Sequence, residues 1–510
     1  MRTNTGWRLL PDWLGAPSLS GGHDRRRTAL LSPLYRWLPL ALVALAALWL
    51  RTSDLARRPM HADEANQAVK TGELLEHGRY AFDPHDHHGP TLYYAALPIA
   101  WLRGQHTLAE LDETTVRLVP ALAGTLGVLL LAALAAPMGR WPARAAAAFM
   151  AVSPPAVYYS RYFVQETLLV TFTLGAFVCA QRWWRTGRAA WALGAGACAG
   201  LMLATTESAP LFGFAAILGG LAARVRPPAA ARIRRDALLA GGAALAVALA
   251  FYSSFGTHLA GVRDAFVAYG HAWTRATGDS GHEKPWWYYL RLFAWQRDGG
   301  LVFEQLALSA FALVGAGVAF LSQQKFLRWA AVYSVVVAVA LSLTPYKTPW
   351  HAVQLVPGLA ILAAAALAAL PTRQTATLLA LAALVLQFAQ TRLVAFTYAA
   401  DARNPYAYVH SSPDVMKFRP LAEAALARAP TQPVRIISEE YWPLPWYLRG
   451  LPRVGYWSAP PDDCDGALVI ASASEAPAVR ARLHGAYRES FLGLRPGFVC
   501  VVFVKNTPRP

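Results

Sequence analysis

The chain has 510 residues, of which 55% are hydrophobic and only 15% are charged. Soluble domains carry about 25% charged residues, so this composition indicates a membrane protein. The net charge of +17 would suit nucleic acid, but the Lys and Arg residues cluster in short stretches at every second loop between apolar spans. Lys and Arg are retained on the cytoplasmic side of a membrane, and nucleic acid is therefore not expected as a partner.

Apolar runs separated by polar loops predict eleven membrane-spanning helices. Residues 1–34 are polar and basic, and we expect them to form a cytoplasmic tail. With the N-terminus inside, an odd number of spans places the C-terminal region outside. The predicted spans are 35–50, 115–137, 142–159, 164–181, 189–206, 208–223, 236–254, 301–322, 327–344, 351–371 and 374–396. Together, residues 35–396 are predicted to form the transmembrane domain.

The first external loop, residues 51–114, is acidic and is predicted to be structured. Apolar residues recur at helical spacing from Ala65 to Leu75, and Gly78 suits a helix stop. A second apolar stretch, residues 89–104, is too short to span a bilayer and predicts an interfacial or re-entrant helix. The fold class expected is therefore an α-helical polytopic membrane protein with external amphipathic loop helices.

Two further external regions are predicted. The loop 255–300 contains "HEKPWWYYLRLFAW", whose Trp and Tyr residues suit an aromatic belt at headgroup level. In residues 397–510 the stretches "VRIISE", "GALVIAS" and "FVCVVFVK" read as short strands. "SSPDVMKFRPLAEAALAR" predicts a helix with Ser412 as its N-cap, so a small external α/β domain is expected.

Asp63 and Glu64 stand side by side at the start of the first loop helix. Acids in a first helical turn complement the helix dipole by about 0.3–1 kcal/mol, so capping alone is one interpretation. The same loop returns with "DPHDHHGP", which brings His85, His87 and His88 within reach of that helix. Mixed Asp and His residues can be a solvated linker, or they can bind cations or polar headgroups.

Charged residues also stand at other outer junctions. Arg161 and Glu166 flank the start of a span in "SRYFVQETLL", where they avoid the cost of about 2.5–3.5 kcal/mol for a charge at mid-bilayer. The simplest structural interpretation is that Arg161 and Glu166 pair with each other. Glu207, in "TTESAP", can be explained as a helix-start acid. Lys347, in "LTPYKTPWHAVQLVPG", is an external cation that suits either an anionic lipid group or simple snorkelling to the interface.

Four cysteines are too few for a disulfide framework. Cys179 and Cys198 fall in apolar spans, where packing explains them. Cys464 and Cys500 could pair if the C-terminal region faces an oxidising compartment, a question that the sequence leaves open.

"HADEA" in the first loop, "SRYFVQETLL" at a span start and "TPYKTPWHAVQLVPG" before a late span together resemble the glycosyltransferase C superfamily. Within it, the chain resembles the protein mannosyltransferase and aminoarabinose transferase-like branch. "LLEHGRYAFDPHDHHGPTLYY", "HEKPWWYYL", "NPYAYVHSSPDV" and "ISEEYWPLPWYLRG" resemble a prokaryotic subfamily described as flippase-activity-associated. The likeness covers nearly the whole chain.

This resemblance implies transfer of a sugar from a polyprenyl-phosphate donor to an envelope glycan, lipid or protein, on the external face of the inner membrane. The chain departs from the family pattern at two positions. Glu166 stands where many relatives carry Asp, which keeps a carboxylate but lengthens it. Thr206 stands where a basic residue is common, which removes a phosphate contact. Both changes leave room for an altered substrate or lost activity.

A mechanism follows from these residues. Because pulling a prenyl tail into water would cost about 0.8 kcal/mol per exposed CH₂, the donor must arrive sideways from the bilayer. Lys347 and Arg161 are predicted to stabilise the departing phosphate, and Asp63, with Glu64 beside it, is predicted to take the acceptor proton. In-line attack would invert the anomeric carbon. Glu166, His88 and His61 are predicted to orient the acceptor or the base.

Cofactor use and the rival functions stay open at this point. Carboxylates with His could hold a divalent cation, but no spacing in the chain is diagnostic of one. A lipid-linked sugar transporter or flippase-associated protein without transfer chemistry would show the same multi-pass pattern, as would an envelope scaffold. Transporters place polar groups near the bilayer midplane, whereas the ionisable residues singled out here stand at outer junctions, which favours an interfacial enzyme.

Overall fold

The computed structural model describes residues 28–86, 88–225, 230–278 and 281–506. Most of the predicted tail 1–34 and the candidate residue His87 lie outside the described residues. The first half of the described chain consists of helices. They are α1 (Thr28–Thr52), α2 (Ala62–His77), α3 (Thr91–Leu102), α4 (Glu113–Leu134), α5 (Arg140–Ala151), α6 (Pro154–Tyr159), α7 (Glu166–Thr186), α8 (Ala189–Leu203), α9 (Ala209–Ala222) and α10 (Ala230–Tyr252).

The second half combines further helices with two sheets. The helices are α11 (Ala260–Thr277), α12 (Tyr288–Phe293), α13 (Leu306–Leu321), α14 (Lys325–Leu343), α15 (Val356–Ala368), α16 (Arg373–Arg392), α17 (Phe418–Arg428), α18 (Leu444–Tyr447) and α19 (Ala476–Ala481). The strands are β1 (Trp295–Asp298), β2 (Leu301–Glu304), β3 (Val434–Ile437), β4 (Val454–Trp457), β5 (Leu468–Ser472), β6 (Tyr487–Arg495) and β7 (Phe498–Lys505).

The chain is a multi-pass membrane protein. Within the described residues, five helical stretches are long and apolar enough to cross a bilayer: Glu113–Leu134, Arg232–Tyr252, Lys325–Leu343, Pro349–Ala368 and Arg373–Thr397. Shorter apolar helices cover Trp37–Thr52, Thr91–Leu102, Ala189–Leu203, Ala209–Ala222 and Leu306–Leu321. Ten of the eleven predicted spans coincide mainly with helix, whereas the span 301–322 opens in strand β2, Leu301–Glu304, and becomes helical only at Leu306. Their exact number as membrane crossings stays a prediction.

Two predicted spans are interrupted near the end that was predicted to be external. The span 142–159 divides into α5 and α6, because Pro154 and Pro155 lack the N–H groups that a continuous helix needs. The span 351–371 opens with a 3₁₀ turn, Pro349–Leu355, before α15 begins. These breaks place irregular backbone beside the first loop.

The first external loop is ordered as predicted. α2 begins at a capping box in which the His61 side chain accepts a hydrogen bond from the Asp63 N–H, while the Glu64 side chain accepts one from the His61 N–H. It ends at Gly78, whose φ of +65° places it in the left-handed region and whose N–H bonds to the Leu74 carbonyl. The predicted interfacial helix is α3.

The loop 255–300 contains more structure than its sequence indicated. It folds into α11, α12 and β1, none of which was predicted, and β1 pairs antiparallel with β2, which directly follows the loop. An isolated bridge pairs Glu283 with Tyr346, and the Lys347 N–H donates to the His282 carbonyl at 3.1 Å. The loop is therefore tied to the segment that carries Lys347.

The C-terminal region contains the predicted small α/β unit. Its five-stranded sheet has the order β4-β3-β5-β7-β6, with β3 parallel to β4 and β5, and β7 antiparallel to β5 and β6. The three predicted strands correspond to β3, β5 and β7, whereas β4 and β6 were not predicted. Ser412 caps a 3₁₀ turn, Pro413–Lys417, that leads into α17. The domain boundary at residue 397 stays a prediction.

Cys464 and Cys500 are both free thiols in this structure. They lie in different apolar clusters on the two faces of the sheet, where each thiol is buried. The sheet itself therefore separates them.

The C-terminal unit packs directly on the first external loop, and a single apolar cluster includes Ala65 and Ala68 of α2 together with Val434 and Ile436 of β3. Hydrogen bonds reinforce this contact. The Met60 N–H donates to the Tyr447 hydroxyl at 2.9 Å, the Trp446 indole N–H donates to Glu113 at 2.7 Å, and the Arg449 guanidinium donates to the Leu111 carbonyl at 2.6 Å. The segment around Asp63 is thus held from both the membrane helices and the C-terminal sheet.

Candidate active site

Glu64 is the centre of a buried ion-pair network. Its carboxylate is inaccessible to solvent, and Arg117 of α4 donates to both of its oxygens at 2.9 Å. Oε1 also accepts from Arg58 at 3.0 Å and from the Phe163 N–H at 2.9 Å. Burial alone would raise the pKa of Glu64, but the two guanidinium groups hold it well below its usual range. Every bond made by Glu64 therefore points to a structural role, which differs from the proton-accepting role predicted beside Asp63.

Arg58 connects this network to the C-terminal region. Its guanidinium donates to Nε2 of His410 at 2.6 Å and to the Arg161 carbonyl at 2.9 Å, and it lies 4.3 Å above the Tyr162 ring. His410 donates from Nδ1 to the Ser411 carbonyl, which assigns the proton to Nδ1. Burial and the adjacent Arg58 charge lower the pKa of His410 far below its ordinary value, so the ring is neutral.

Arg161, predicted to bind phosphate, instead caps a helix. Its guanidinium donates to the carbonyls of Leu50, Ser53 and Asp54 at the end of α1. These carbonyls are the groups that a helix end leaves without intrahelical partners. Only 6% of Arg161 is exposed. Phosphate binding by Arg161 stays a prediction, and it would require these bonds to be exchanged.

Lys347, the second predicted phosphate ligand, is also committed to backbone oxygens. Its ammonium donates to the Lys284 carbonyl at 3.0 Å and to the Thr344 carbonyl, and only 1% of the residue is exposed. These contacts join the loop 255–300 to the end of α14. Phosphate binding by Lys347 likewise stays a prediction, since its present partners occupy the charged group.

Asp63 stands apart from this closed network. Its side chain is 39% exposed at the first turn of α2, where the helix dipole favours a negative charge. Its backbone N–H donates to Nδ1 of His61, so the 3.7 Å approach of that nitrogen to the Asp63 carboxylate is not a hydrogen bond. The His61 ring is buried against Tyr162, Trp350 and His410. His61 thus orders the turn that presents Asp63.

His88 forms an ion pair with Glu207, a residue that the sequence analysis explained as a helix-start acid. Nδ1 of His88 lies 2.7 Å from Oε2 of Glu207. The chain at Gly89 approaches the Ala204 carbonyl so closely that a Cβ atom would lie 2.2 Å from it, which fixes His88 over Glu207. Burial lowers the pKa of His88, but the Glu207 carboxylate outweighs it and raises the pKa above its ordinary value.

The other carboxylate oxygen of Glu207 is buried and has no partner in the described part of the chain. Burial raises the pKa of Glu207, but His88 outweighs it and lowers the pKa below its ordinary value. Each partner therefore favours the charged form of the other. An unpartnered carboxylate oxygen in such a position is free to accept from a hydroxyl of a bound molecule.

Glu166, Asp63 and Arg275 belong to the same electrostatic group. Glu166 is 5% exposed at the start of α7, and its carboxyl interacts with the charges of His88, Asp63 and Glu207. Arg275 of α11 is exposed, and its positive charge acts on both His88 and Glu207. Asp63, Glu166 and Arg275 also act on Tyr346, whose pKa burial raises to about 12. The start of α2, the turn before α3, the start of α7, the turn after α8 and the end of α11 thus contribute acids and cations that interact electrostatically.

This group, which we call the acid–cation cluster, comprises Asp63, His88, Glu166, Glu207 and Arg275. Sequence reasoning found Asp63, His88 and Glu166 and explained Glu207 only as a helix-start acid. It missed Arg275, because α11 was not predicted and a lone Arg in a loop has an ordinary surface explanation. Among the described residues, no three His, Cys, Asp or Glu side chains converge as a metal site would require. The geometry of the described residues therefore gives no support for a bound divalent cation.

Comparison with solved structures identifies the fold. The structure of ArnT from Cupriavidus metallidurans bound to undecaprenyl phosphate matches with a TM-score of 0.63 at 18% identity, covering 93% of this chain and 99% of that one. The apo state of the same protein matches with a TM-score of 0.62 at 16% identity, covering 94% and 100%. AglB from Archaeoglobus fulgidus, in complex with an inhibitory peptide and a dolichol-phosphate, matches at 0.57 and 13% identity, covering 91% and 73%.

The sequence comparisons agree with this result. Residues 96–255 match the family of dolichyl-phosphate-mannose-protein mannosyltransferases, a match that covers less than half of the chain. No curated protein matches the chain by sequence. The fold defines a polytopic membrane protein with a C-terminal sheet domain. It is the fold of the glycosyltransferase C superfamily, so the resemblance predicted from the sequence is confirmed at that level.

Proposed function

We propose that the chain is a membrane glycosyltransferase that moves a sugar from a polyprenyl-phosphate donor to an envelope acceptor, with inversion at the anomeric carbon. The observation that supports this most is the position of Asp63, a half-exposed carboxylate directly beside a fully paired one. Glu64 fixes the backbone through Arg117, and the neighbouring acid remains available for chemistry. The donor class is supported by two solved structures of this fold, one bound to undecaprenyl phosphate and one in complex with a dolichol-phosphate.

The proposed reaction uses the acid–cation cluster. An acceptor hydroxyl attacks the anomeric carbon, its proton passes to the Asp63 carboxylate, and the bond between that carbon and the phosphate oxygen breaks. The electron pair of this bond stays on the departing polyprenyl phosphate. Its negative charge needs fixed cations, and we assign this task to His88 and Arg275. This assignment replaces Lys347 and Arg161, whose charged groups are held by backbone carbonyls.

The two buried acids have orienting roles in this proposal. Glu207 favours the protonated form of His88 and has one oxygen left to accept from a sugar or acceptor hydroxyl. Glu166 lies where its carboxyl interacts with both Asp63 and His88. The same proposal includes a cytoplasmic N-terminus, an external position of the acid–cation cluster and an inner-membrane location, because the donor must be reached at the outer face.

The test compares envelope glycans by mass spectrometry in cells that lack the protein and in cells that carry the wild type, Asp63→Asn or Glu73→Gln. Glu73 is an exposed acid on the same helix, so its variant controls for the loss of a charge from α2. We expect Glu73→Gln to restore every lost glycan and Asp63→Asn to restore none at equal protein level. Full restoration by Asp63→Asn would instead support a transporter or scaffold without transfer chemistry.

A further inference from the structure

Three stretches that the sequence analysis singled out meet beside the candidate active site. His282 and Lys284 belong to "HEKPWWYYL", Tyr346 and Trp350 to "TPYKTPWHAVQLVPG", and Tyr408 to "NPYAYVHSSPDV". The Tyr408 ring lies 6.1 Å from the Trp350 ring, and its hydroxyl pairs with Nδ1 of His282 at 2.8 Å. The His282 ring in turn lies 5.3 Å from the Tyr346 ring. We call these five residues the aromatic site.

The polar groups of the aromatic site are largely unused. All five residues are partly exposed, and the Lys284 ammonium lies 5.5 Å above the Tyr408 ring. Within the part of the chain that the structure describes, the Tyr346 hydroxyl, the Trp350 indole N–H and the Lys284 ammonium make no hydrogen bond or ion pair. The site therefore offers ring faces together with hydrogen-bond donors that are available to a ligand.

The aromatic site adjoins the turn that presents Asp63. The His61 ring meets the Trp350 ring edge-on, with centroids 6.4 Å apart, and Nδ1 of His61 accepts the Asp63 N–H at 3.1 Å. The charge of Asp63 also acts on Tyr346. The predicted base thus has two neighbours, the rest of the acid–cation cluster and the aromatic site.

The geometry of the proposed reaction decides which reactant belongs to which neighbour. In an inverting displacement the acceptor and the departing group stand on opposite faces of the sugar ring. The proposed function assigns the departing phosphate to His88 and Arg275. The aromatic site, which reaches Asp63 through His61, is therefore left for the acceptor.

We propose that the aromatic site binds a saccharide acceptor, whose ring stacks on Trp350 and Tyr408 and whose hydroxyl groups pair with Lys284 and Tyr346. The inference rests on the proposed function and narrows its envelope acceptor to a carbohydrate. The C–H face of a sugar ring carries partial positive charge, which suits the negative face of an aromatic ring. A polypeptide acceptor would present one Ser or Thr hydroxyl and would leave most of the donors of the site unpaired.

The experiment measures binding to the full chain in nanodiscs without any lipid donor. Three fluorescent probes are compared: oligosaccharides released from the envelope of cells that lack the protein, deglycosylated peptides from the same envelopes, and glycerol phosphate as a lipid headgroup. The wild type is compared with Trp350→Ala, Lys284→Met and Trp286→Ala. Trp286 is the matched control, because it is a 63% exposed Trp of the same loop with no hydrogen bond or ring contact to any described residue.

We expect the wild type to bind the oligosaccharides and neither of the other probes. Trp350→Ala and Lys284→Met should each weaken this binding about tenfold, and Trp286→Ala should leave it unchanged. Absence of oligosaccharide binding, preferential binding of peptides or glycerol phosphate, or wild-type affinity in a folded Trp350→Ala or Lys284→Met protein would overturn the proposal.

The design also separates this inference from misfolding and from the proposed function. Lys284→Met keeps the backbone carbonyl that accepts from Lys347, so it preserves the test if Trp350→Ala fails to fold. Oligosaccharide binding in a protein that transfers no sugar would refute the proposed function alone. Sugar transfer to peptides with no oligosaccharide binding would refute the saccharide acceptor alone.

Discussion

Glu64 and Arg117 form a buried, bidentate ion pair, with both hydrogen bonds at 2.9 Å. Arg117 also donates to the carbonyls of Leu55, Arg58 and Pro59, which are the residues that lead into α2. The pair therefore fixes the path of the chain from the first membrane helix to Asp63.

We expect Glu64→Gln to destabilise the protein by about 3–5 kcal/mol, because it leaves Arg117 and Arg58 buried with no opposing charge. The melting temperature of purified protein measures this loss. Asp63→Asn is the matched control, since its side chain is partly exposed and its N–H contact with His61 uses the backbone. Equal melting temperatures for the two variants would contradict the structural role of Glu64.

Asp63→Asn should lower the rate of sugar transfer by about 10²–10⁴-fold, the usual contribution of a general base, while the melting temperature stays at the wild-type value. The rate is measured on purified protein once the sugar has been identified from the missing glycans. Glu73→Gln should keep the wild-type rate. A fall of similar size in Glu73→Gln would point to the charge of α2 rather than to Asp63.

The activity should decline as the pH rises through the pKa of His88, which Glu207 raises against the effect of burial. Below that pH the ring is charged, and above it the cation that faces the phosphate is lost. The Glu207 carboxylate stays ionised until the pH falls through its own lowered pKa, which sets the acid limit of the pair. In Glu207→Gln the alkaline limb should move to lower pH, because burial then acts on His88 with less opposition.

A pH–rate profile of donor turnover measures this shift. His88→Gln is expected to lack the alkaline limb altogether at a reduced rate. An alkaline limb at the same pH in wild type and Glu207→Gln would show that another group titrates there.

Arg275→Gln and Lys347→Met should affect different properties, the first the KM for the lipid donor and the second the melting temperature. Loss of a charge-assisted hydrogen bond to phosphate costs about 1.5–3 kcal/mol, so Arg275→Gln should raise the KM for the lipid donor by about 10–100-fold at an unchanged melting temperature. Lys347→Met leaves the Lys284 and Thr344 carbonyls without their donor and should lower the melting temperature instead. A normal KM in Arg275→Gln together with a raised one in Lys347→Met would restore Lys347 as the phosphate ligand.

Tyr447→Phe tests the contact between the C-terminal sheet domain and the first loop. It leaves the fully buried Met60 N–H without an acceptor, which should cost about 1–3 kcal/mol of stability. Tyr441→Phe removes a hydroxyl that makes no hydrogen bond within the described residues, and it should be neutral. Thermal unfolding of both variants separates a general effect of losing a hydroxyl from the specific contact at Met60.

Much of the helical framework could be predicted from the sequence, because hydropathy and loop charge act locally along the chain. The same holds for α2, where the acids, the apolar spacing and Gly78 mark both ends. The helix α11 was missed because its apolar residues are mixed with His, Trp and Arg in a loop between spans. Strands β4 and β6 were missed because their exposed residues interrupt the apolar alternation.

Only part of the candidate site could be predicted, because contacts between distant parts of the chain set the surroundings of its residues. The sequence places Asp63 and Glu64 side by side, yet their environments are set by residues far along the chain, such as Arg117 and His410. Lys347 and Arg161 are cations next to predicted spans, as the sequence indicated. The carbonyl groups that they contact depend on how α1, α14 and the loop 255–300 pack. Glu207 gained its partner through the close approach at Gly89, a contact that no local pattern records.

The bond from Arg58 to His410 joins residues 352 positions apart, and that from Met60 to Tyr447 joins residues 387 apart. A nascent polypeptide that has delivered only its early segments to the translocon lacks both partners, so the turn bearing Asp63 is completed late in biogenesis. Truncated translation products would therefore insert into the bilayer without the ordered turn that carries Asp63.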